Sequence, residues 1–361
     1  MNSSGIIAIV GPNPKDPSRN GGVARYISYL QYLDFESKNT QIDRVFLFTD
    51  VVPLSRIGLV RIGRFLSSFA VAWFLLRLSN RLKCVHVNAT LSYGGALRIL
   101  PIILVSRFFC SNVVIQIHGG RWGKVKLNVG ARLAWKLLFR LSRKVGCFSG
   151  FQYDELTHIE ECKSKLNKLV NFIPKYNGLL EKNEIFTCVF LGRVIREKGI
   201  LECIEAVKLA NDSISNGKII LEVVGDGPLY PDVTRASDDN VIVRGRMQGD
   251  ELDKVMAGAH LLLLPSYYPE GFPLVFLEAA NFKVVPLISN CSAISSYFMD
   301  GEHYFEVPVK SPVALAGKIQ ELYGDRILME KVSSQLRAKF TVDFSSDSQS
   351  VFDQYIKFYS L

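Results

Sequence analysis

Two stretches of this 361-residue chain set charged side chains among the loop residues that phosphate chemistry uses. The first runs from Ser266 to Ala279, directly after the apolar run Leu261–Leu264. Pro273 falls where the first turn of a helix is expected, because a missing N–H costs nothing there. The N–H groups of Gly271, Phe272 and Leu274 then form an anion site, reinforced by the helix dipole. Glu270 precedes that helix, and Glu278 lies about a turn and a half inside it. One carboxylate can meet a group beyond bound phosphates and the other a group behind them. A nucleotide-sugar has that layout: hexose hydroxyls, diphosphate, ribose hydroxyls. The second stretch, Phe190 to Gly199, reads as a strand end, a basic loop and a helix start. Its Arg193 and Lys198 are placed to converge on one diphosphate. Neutralising a departing nucleoside diphosphate calls for two such cations. Arg196 and Glu197, between them, read as a solvated pair.

Other motifs are weaker. Gly21-Gly22-Val23 lets backbone approach a phosphate just before a helix, which makes Gly22 a donor-binding candidate. Val224 to Leu229 carries half of a dinucleotide fingerprint, but its third glycine is missing and hydride transfer is excluded. No Walker A lysine motif is present. His118 closes the run Asn112–His118 ahead of Gly119-Gly120 and is a candidate site residue, whereas His86 closes no motif and reads as core. The seven cysteines are scattered without a C-x-x-C pair, which fits reduced thiols and argues against a disulfide scaffold or a zinc site.

The elements that must position these residues alternate strand and helix. In the N-terminal half, Gly5–Gly11, Arg44–Phe48, Cys84–Val87 and Asn112–His118 read as strands separated by helical stretches. In the C-terminal half, Ile185–Leu191, Leu221–Gly225, Val241–Val243, Leu261–Leu264 and Val284–Ile288 continue the pattern, with helices over Gly199–Leu209 and Pro273–Phe282. Alternation of this kind builds parallel sheets whose ligands bind at the carboxyl ends of the strands. The expected fold is α/β, with two facing Rossmann-like domains, a cleft between them, and a linker within Pro174–Asn183.

A composition of 48% hydrophobic and 21% charged residues excludes a disordered chain. The net charge of +9 conceals an asymmetry: residues 1–180 hold 25 Lys/Arg against 9 Asp/Glu. Between Asp50 and Asp154 there are 16 Lys/Arg and no acidic residue. The segments Arg56–Lys83 and Arg121–Lys144 mix these cations with Phe, Leu and Trp, including Trp73, Trp122 and Trp135. The apolar stretch Phe65–Leu76 is shorter than the roughly 20 residues of a membrane span. Basic helices with an aromatic apolar side suit the interface of an anionic membrane, at about 1 kcal/mol per Lys/Arg. The alternative is that the apolar residues simply cover the sheet. Nucleic acid is not an expected partner, since no binding module accompanies the charge. The N-terminus lacks the basic start and cleavage site of a signal peptide. With the reduced-thiol pattern and the basic helices, the expected location is the cytoplasm, peripheral on the inner face of the cytoplasmic membrane.

Taken together, the loop at Arg193–Lys198, the Glu270-x7-Glu278 element, the Val224–Pro228 turn and Gly21-Gly22 resemble the family 4 retaining glycosyltransferases of GT-B fold (glycosyl transferases group 1). Asp300-Gly301-Glu302 and Ser311–Ala316 extend the likeness towards the C-terminus. The resemblance implies an acceptor-side, membrane-facing domain over 1–175 and a nucleotide-sugar domain over 176–343. It also implies a C-terminal helix over 344–361 that returns to the N-terminal domain. Arg193 and Lys198 would hold the donor diphosphate, Glu270 the transferred sugar, Glu278 the ribose, and His118 would reach the sugar from the other domain. A hexosyl unit would pass with retained configuration from a UDP- or GDP-linked donor to a lipid-linked or glycan acceptor of a bacterial cell-surface polysaccharide or lipopolysaccharide, with no metal or other cofactor. The loop Asn290–Ser296 departs from the Gly-Gly-x-x-Glu common in the family. Two alternatives stay open: a non-catalytic membrane-associated nucleotide-sugar binder, and a soluble transferase with a small acceptor.

Overall fold

The computed structural model of the chain describes residues 5–14, 22–33, 42–49, 57–119, 122, 127–148, 150–215, 217–267, 272–290 and 293–360, leaving aside the side chains of 57–65 and 293. It divides into two units, Met1–Pro174 with Ser346–Leu361, and Lys175–Ser345.

The first unit runs β1 (Gly5–Gly11), α1 (Gly22–Tyr29), β2 (Ile42–Phe48), α2 (Ile57–Arg77), β3 (Leu82–Ala89) and α3 (Tyr93–Ser106). It continues through β4 (Val113–Ile117), α4 (Val129–Leu141), β5 (Lys144–Cys147), α5 (Gly150–Thr157) and β6 (Leu166–Lys168). Its six strands are all parallel, in the order β2-β1-β3-β4-β5-β6. Every residue of β1 is buried, as a central parallel strand covered on both faces must be. One face carries a single apolar core that joins Val85, Val87, Ile115 and Ile117 to α2, α3 and α4. Asn128 and Ser92 cap α4 and α3, each side-chain oxygen accepting a backbone N–H in the first turn.

The second unit runs β7 (Phe186–Leu191), α6 (Ile200–Asp212), β8 (Ile219–Val224), α7 (Tyr230–Arg235), β9 (Val241–Gly245) and α8 (Asp250–Gly258). After these come β10 (Leu261–Leu264), α9 (Leu274–Asn281), β11 (Val285–Ser289), β12 (Phe305–Val307), α10 (Pro312–Gly324) and α11 (Arg326–Asp343). The parallel order is β12-β11-β10-β7-β8-β9. Separate apolar clusters cover its two faces. Three strands, β5, β6 and β12, go beyond the expected set. Each is only three or four residues long, and β5 contains Gly146, so none shows a readable hydrophobic run.

The last helix, α12 (Gln349–Tyr359), belongs to the first unit. Its Tyr355 hydroxyl donates to the carbonyl of Val170 and meets the Tyr26 hydroxyl at 2.6 Å. Its Tyr359 reaches Nδ1 of His86 at 3.0 Å. The segment expected as a linker is tied down on the second unit. Lys182 Nζ donates to the carbonyls of Ala259 (2.6 Å) and Phe282 (2.9 Å), just past the ends of α8 and α9. Burial there pushes the Lys182 ammonium down to about 7.

Candidate functional site

In the second unit the strand order reverses between β7 and β10, which lie side by side. A doubly wound sheet binds its ligand outside the carboxyl ends of the strands at such a reversal. Both chemical stretches start there. Arg193 and Lys198 stand in the connection from β7 to α6, and Ser266 to Glu278 lead from β10 into α9.

Backbone contacts stitch these loops together. Gly192 N–H donates to Val224 carbonyl and Val194 N–H to Asp226 carbonyl, both at 3.0 Å, and Leu229 N–H returns to Val194 carbonyl at 3.1 Å. Gly225 has φ +147°, and a Cβ on it would lie 1.8 Å from the Gly192 carbonyl oxygen. The Gly-Asp-Gly-Pro turn therefore braces the Arg193 loop from below by close backbone approach. On the other side, the Glu197 carbonyl accepts from Tyr267 N–H (3.1 Å) and from Ser266 Oγ (3.1 Å). Gly199, at φ +74°, leaves room for the Pro265 carbonyl, which a Cβ would approach to 2.6 Å. Ser289 Oγ, at the end of β11, donates to the Ser266 carbonyl and holds the second loop from its far side.

Of the expected site residues, Arg193 is exposed and Lys198 half-buried. Arg196 and Glu197 are exposed, with Glu197 contributing its carbonyl to the brace. Glu278 is buried on α9. Glu270 and Gly271 lie outside the described residues. One expectation needs correction. Pro273 is the residue before α9 (φ −70°, ψ 125°) and not its first helical residue, since the helix starts at Leu274. Phe272 can offer a ligand only its backbone, because its ring is buried among Tyr297, Phe298 and Phe344, stacked on the last at 5.5 Å. Leu274 is likewise a buried side chain whose N–H opens the helix. Gly22 is the exposed first residue of α1, and a Cβ there would meet none of the described atoms within 4 Å.

His118 belongs to the first unit. It follows β4, and its N–H donates to the Ala89 carbonyl. Its Nε2 lies 2.7 Å from Asn88 Oδ1, and Asn88 Nδ2 donates to the Val10 carbonyl at 3.2 Å. With the Asn88 amide so oriented, Nε2 of His118 is the donor and Nδ1 keeps its lone pair. Tyr26 (4.6 Å) and Phe148 (5.2 Å) enclose the ring. Burial, aided by His86, holds its pKa well below the ordinary histidine value. It is a neutral hydrogen-bonding group at physiological pH. Asn88 and Tyr26 escaped the sequence reading, since a polar residue ending a strand and an aromatic in a helix carry no local signature. His86 is buried, as a core histidine should be, although its Nε2 has no partner among the described residues.

Among the described residues no group of three or more His, Cys, Asp or Glu side chains is placed to hold a metal ion. The six cysteines among the described residues are buried free thiols. No described helix is long and apolar enough to cross a membrane.

Residues 185–325, which include both chemical stretches, match the family model described as "Glycosyl transferases group 1". TuaC of Bacillus subtilis, named as a teichuronic acid biosynthesis glycosyltransferase, is 27% identical over 289 residues, 75% of this chain and 69% of the relative. The capsular polysaccharide biosynthesis glycosyltransferase CapM of Staphylococcus aureus is 25% identical over 219 residues. That match spans 58% of this chain and about half (55%) of the relative. Among solved structures, Anabaena Alr3699/HepE in complex with UDP-glucose superposes with a TM-score of 0.73 at 14% identity, over 99% of this chain and 100% of the other. That likeness is one of fold: two parallel six-stranded α/β units of the GT-B glycosyltransferase type.

Proposed function

From the premise that residues 185–325 carry the sequence of the group 1 glycosyl transferases, we propose that this protein is a retaining hexosyltransferase. It takes a UDP- or GDP-linked hexose and passes the sugar to a lipid-linked or glycan acceptor of a cell-surface polysaccharide or lipopolysaccharide. The observation that carries this reading is the braced pair of loops at the reversal of the second sheet. Two cations leave β7 there, and a carboxylate-bearing helix follows β10. The relatives' roles in teichuronic acid and capsular polysaccharide biosynthesis support the coarse pathway.

In this reading Arg193 and Lys198 take the charge of the diphosphate as the C1–O bond of the donor breaks, so no metal is required for that task. Glu278 holds the ribose hydroxyls, Glu270 orients the hexose, and Gly22 lets backbone approach the donor. The acceptor hydroxyl attacks C1 on the face the diphosphate leaves and passes its proton to the departing phosphate oxygen, so configuration is retained and no separate base is needed. His118, neutral, hydrogen-bonds a sugar hydroxyl.

Thermal stabilisation and release of nucleoside diphosphate across UDP-, GDP- and ADP-sugars test the proposal, with UDP-glucose, the ligand of HepE, tried first. One nucleotide-sugar should stabilise the protein and be turned over when acceptor is added. If none shifts its melting temperature, the donor reading fails. If one binds without turnover on any lipid-linked, glycan or small acceptor, the chain is a binder.

A further inference from the structure

We infer that the outer face of the α2–α3–α4 layer is a docking surface for anionic phospholipid, on which the first unit lies flat. All three helices pack onto the same core cluster, so they cover one face of the sheet and share one outer side. That outer side is more apolar than a helix layer facing water should be. On α2, Ser67 and Ser68 point inward with Val71 and Leu75. The outward stripe is Leu66, Phe69, Trp73 and Leu76, with Trp73 61% and Leu66 58% exposed. The larger apolar side chains thus face away from the core, the reverse of an ordinary surface helix. Leu97 and Leu104 continue the stripe on α3, and Val129, Leu133 and Leu137 on α4. Phe108, just past α3, is 89% exposed. Scattered apolar residues need no explanation, but rows on three adjoining helices form one patch.

Charge selects the occupant. No acidic residue occurs between Asp50 and Asp154, the span that supplies all three helices, against 16 Lys/Arg. Arg132 and Arg140 lie exposed on α4, and the Arg77 guanidinium sits 5.6 Å over the exposed Trp73 ring. Glu161, from beyond the three helices, approaches Lys136 of α4 at 3.6 Å, but the charges the helices themselves carry are all cationic. A surface that is apolar at its centre, aromatic and predominantly cationic matches headgroup phosphates above acyl chains. None of these helices is long and apolar enough to span a membrane, so this contact is in-plane. The structure also corrects one sequence expectation. Trp135 is no part of this surface, because it is fully buried and its indole N–H donates to the Ser92 carbonyl at 3.0 Å.

The inference deepens the proposed function by supplying the membrane on which a lipid-linked acceptor resides, and rests on that reading only for the purpose the surface serves. Its test needs no nucleotide-sugar. The full chain is floated with phosphatidylglycerol/phosphatidylcholine vesicles and with phosphatidylcholine alone, at low and high salt. Binding to the anionic vesicles, weakened by salt and accompanied by a blue shift of tryptophan emission, is expected. The double variant Phe69→Ser/Trp73→Ser and the single variant Leu133→Ser should each reduce partitioning at least tenfold without lowering the melting temperature. Val313→Ser and Ile327→Ser, at exposed apolar positions of the second unit, should leave it unchanged. Equal partitioning of the face variants and wild type would overturn the inference, as would absence of wild-type binding. So would a dimer that the face variants dissociate while vesicles leave the wild type unbound, since the patch would then be a protein interface. Transfer to a water-soluble acceptor, measured separately, reports on the chemical reading alone.

Discussion

Arg193 is the side chain on which the chemistry leans most heavily, because it is exposed at the end of β7 while its backbone is held on both sides. Arg193→Ala and Lys198→Ala should each slow transfer by about 2–4 kcal/mol in activation free energy, roughly 30- to 1000-fold, while circular dichroism stays that of the wild type. Near-normal turnover in either variant would remove that residue from the donor site. His118 answers a different question. Because burial holds its pKa well below 6.5, it should stay neutral near pH 7, keeping its Nε2 proton and taking up no second one. Its imidazole NMR signals should not titrate between pH 8 and pH 6, and the acidic limb of kcat/KM should not be its own. A titration midpoint near 6.5 would show that the ring is solvated and that the Asn88–His118 hydrogen bond is not kept.

At the scale of elements, the loops are set by glycines acting on backbone rather than on phosphate. Gly225→Ala forces a Cβ onto the Gly192 carbonyl oxygen in a conformation that L residues rarely adopt. It should destabilise the second unit by about 2–4 kcal/mol and weaken donor affinity, measured by chemical denaturation and by titration with the donor. Unchanged stability would mean the turn does not brace the Arg193 loop. The same element shows how far local pattern reaches. Val224 to Pro228 reads as a broken fingerprint because spacing alone cannot tell a glycine that approaches a ligand from one that approaches a neighbouring loop. Pro273 is misread by one position for a related reason: proline suits both the residue before a helix and its first turn, and the observed ψ of 125° decides.

For the whole molecule, stability should fall on the acid side. Burial depresses His86 to about 3 and His260 to about 4, below the ordinary 6.5. The unfolded chain therefore binds protons that the folded one refuses, so this stability is complete above about pH 6.5 and is lost as pH falls toward those values. Each histidine should contribute a loss of roughly 2 kcal/mol between pH 7.5 and pH 5, readable by urea denaturation. His86→Phe should flatten that slope. The docking of α12 has its own check. Tyr355 donates to Val170, so Tyr26 is the donor in the tyrosine pair. Tyr355→Phe strands the buried Tyr26 hydroxyl and should cost about 1–3 kcal/mol, and adding Tyr26→Phe should recover part of it.

The alternation of buried strands and helices, the order of the two chemical stretches and the one-sided charge were determined by the sequence itself. Each is a local pattern, legible because a parallel strand buried on both faces is apolar throughout and because a charge run needs no fold to be counted. Only the tertiary structure decided that β7 and β10 are neighbours at the reversal of the sheet, although about seventy residues separate them in the chain. It alone decided that Trp135 faces the core while Trp73 faces out, and that His118 leans on Asn88 and Tyr26. Pairing across a sheet, and the side of a helix that meets it, depend on which distant surfaces bury each other, and no window of sequence contains both partners.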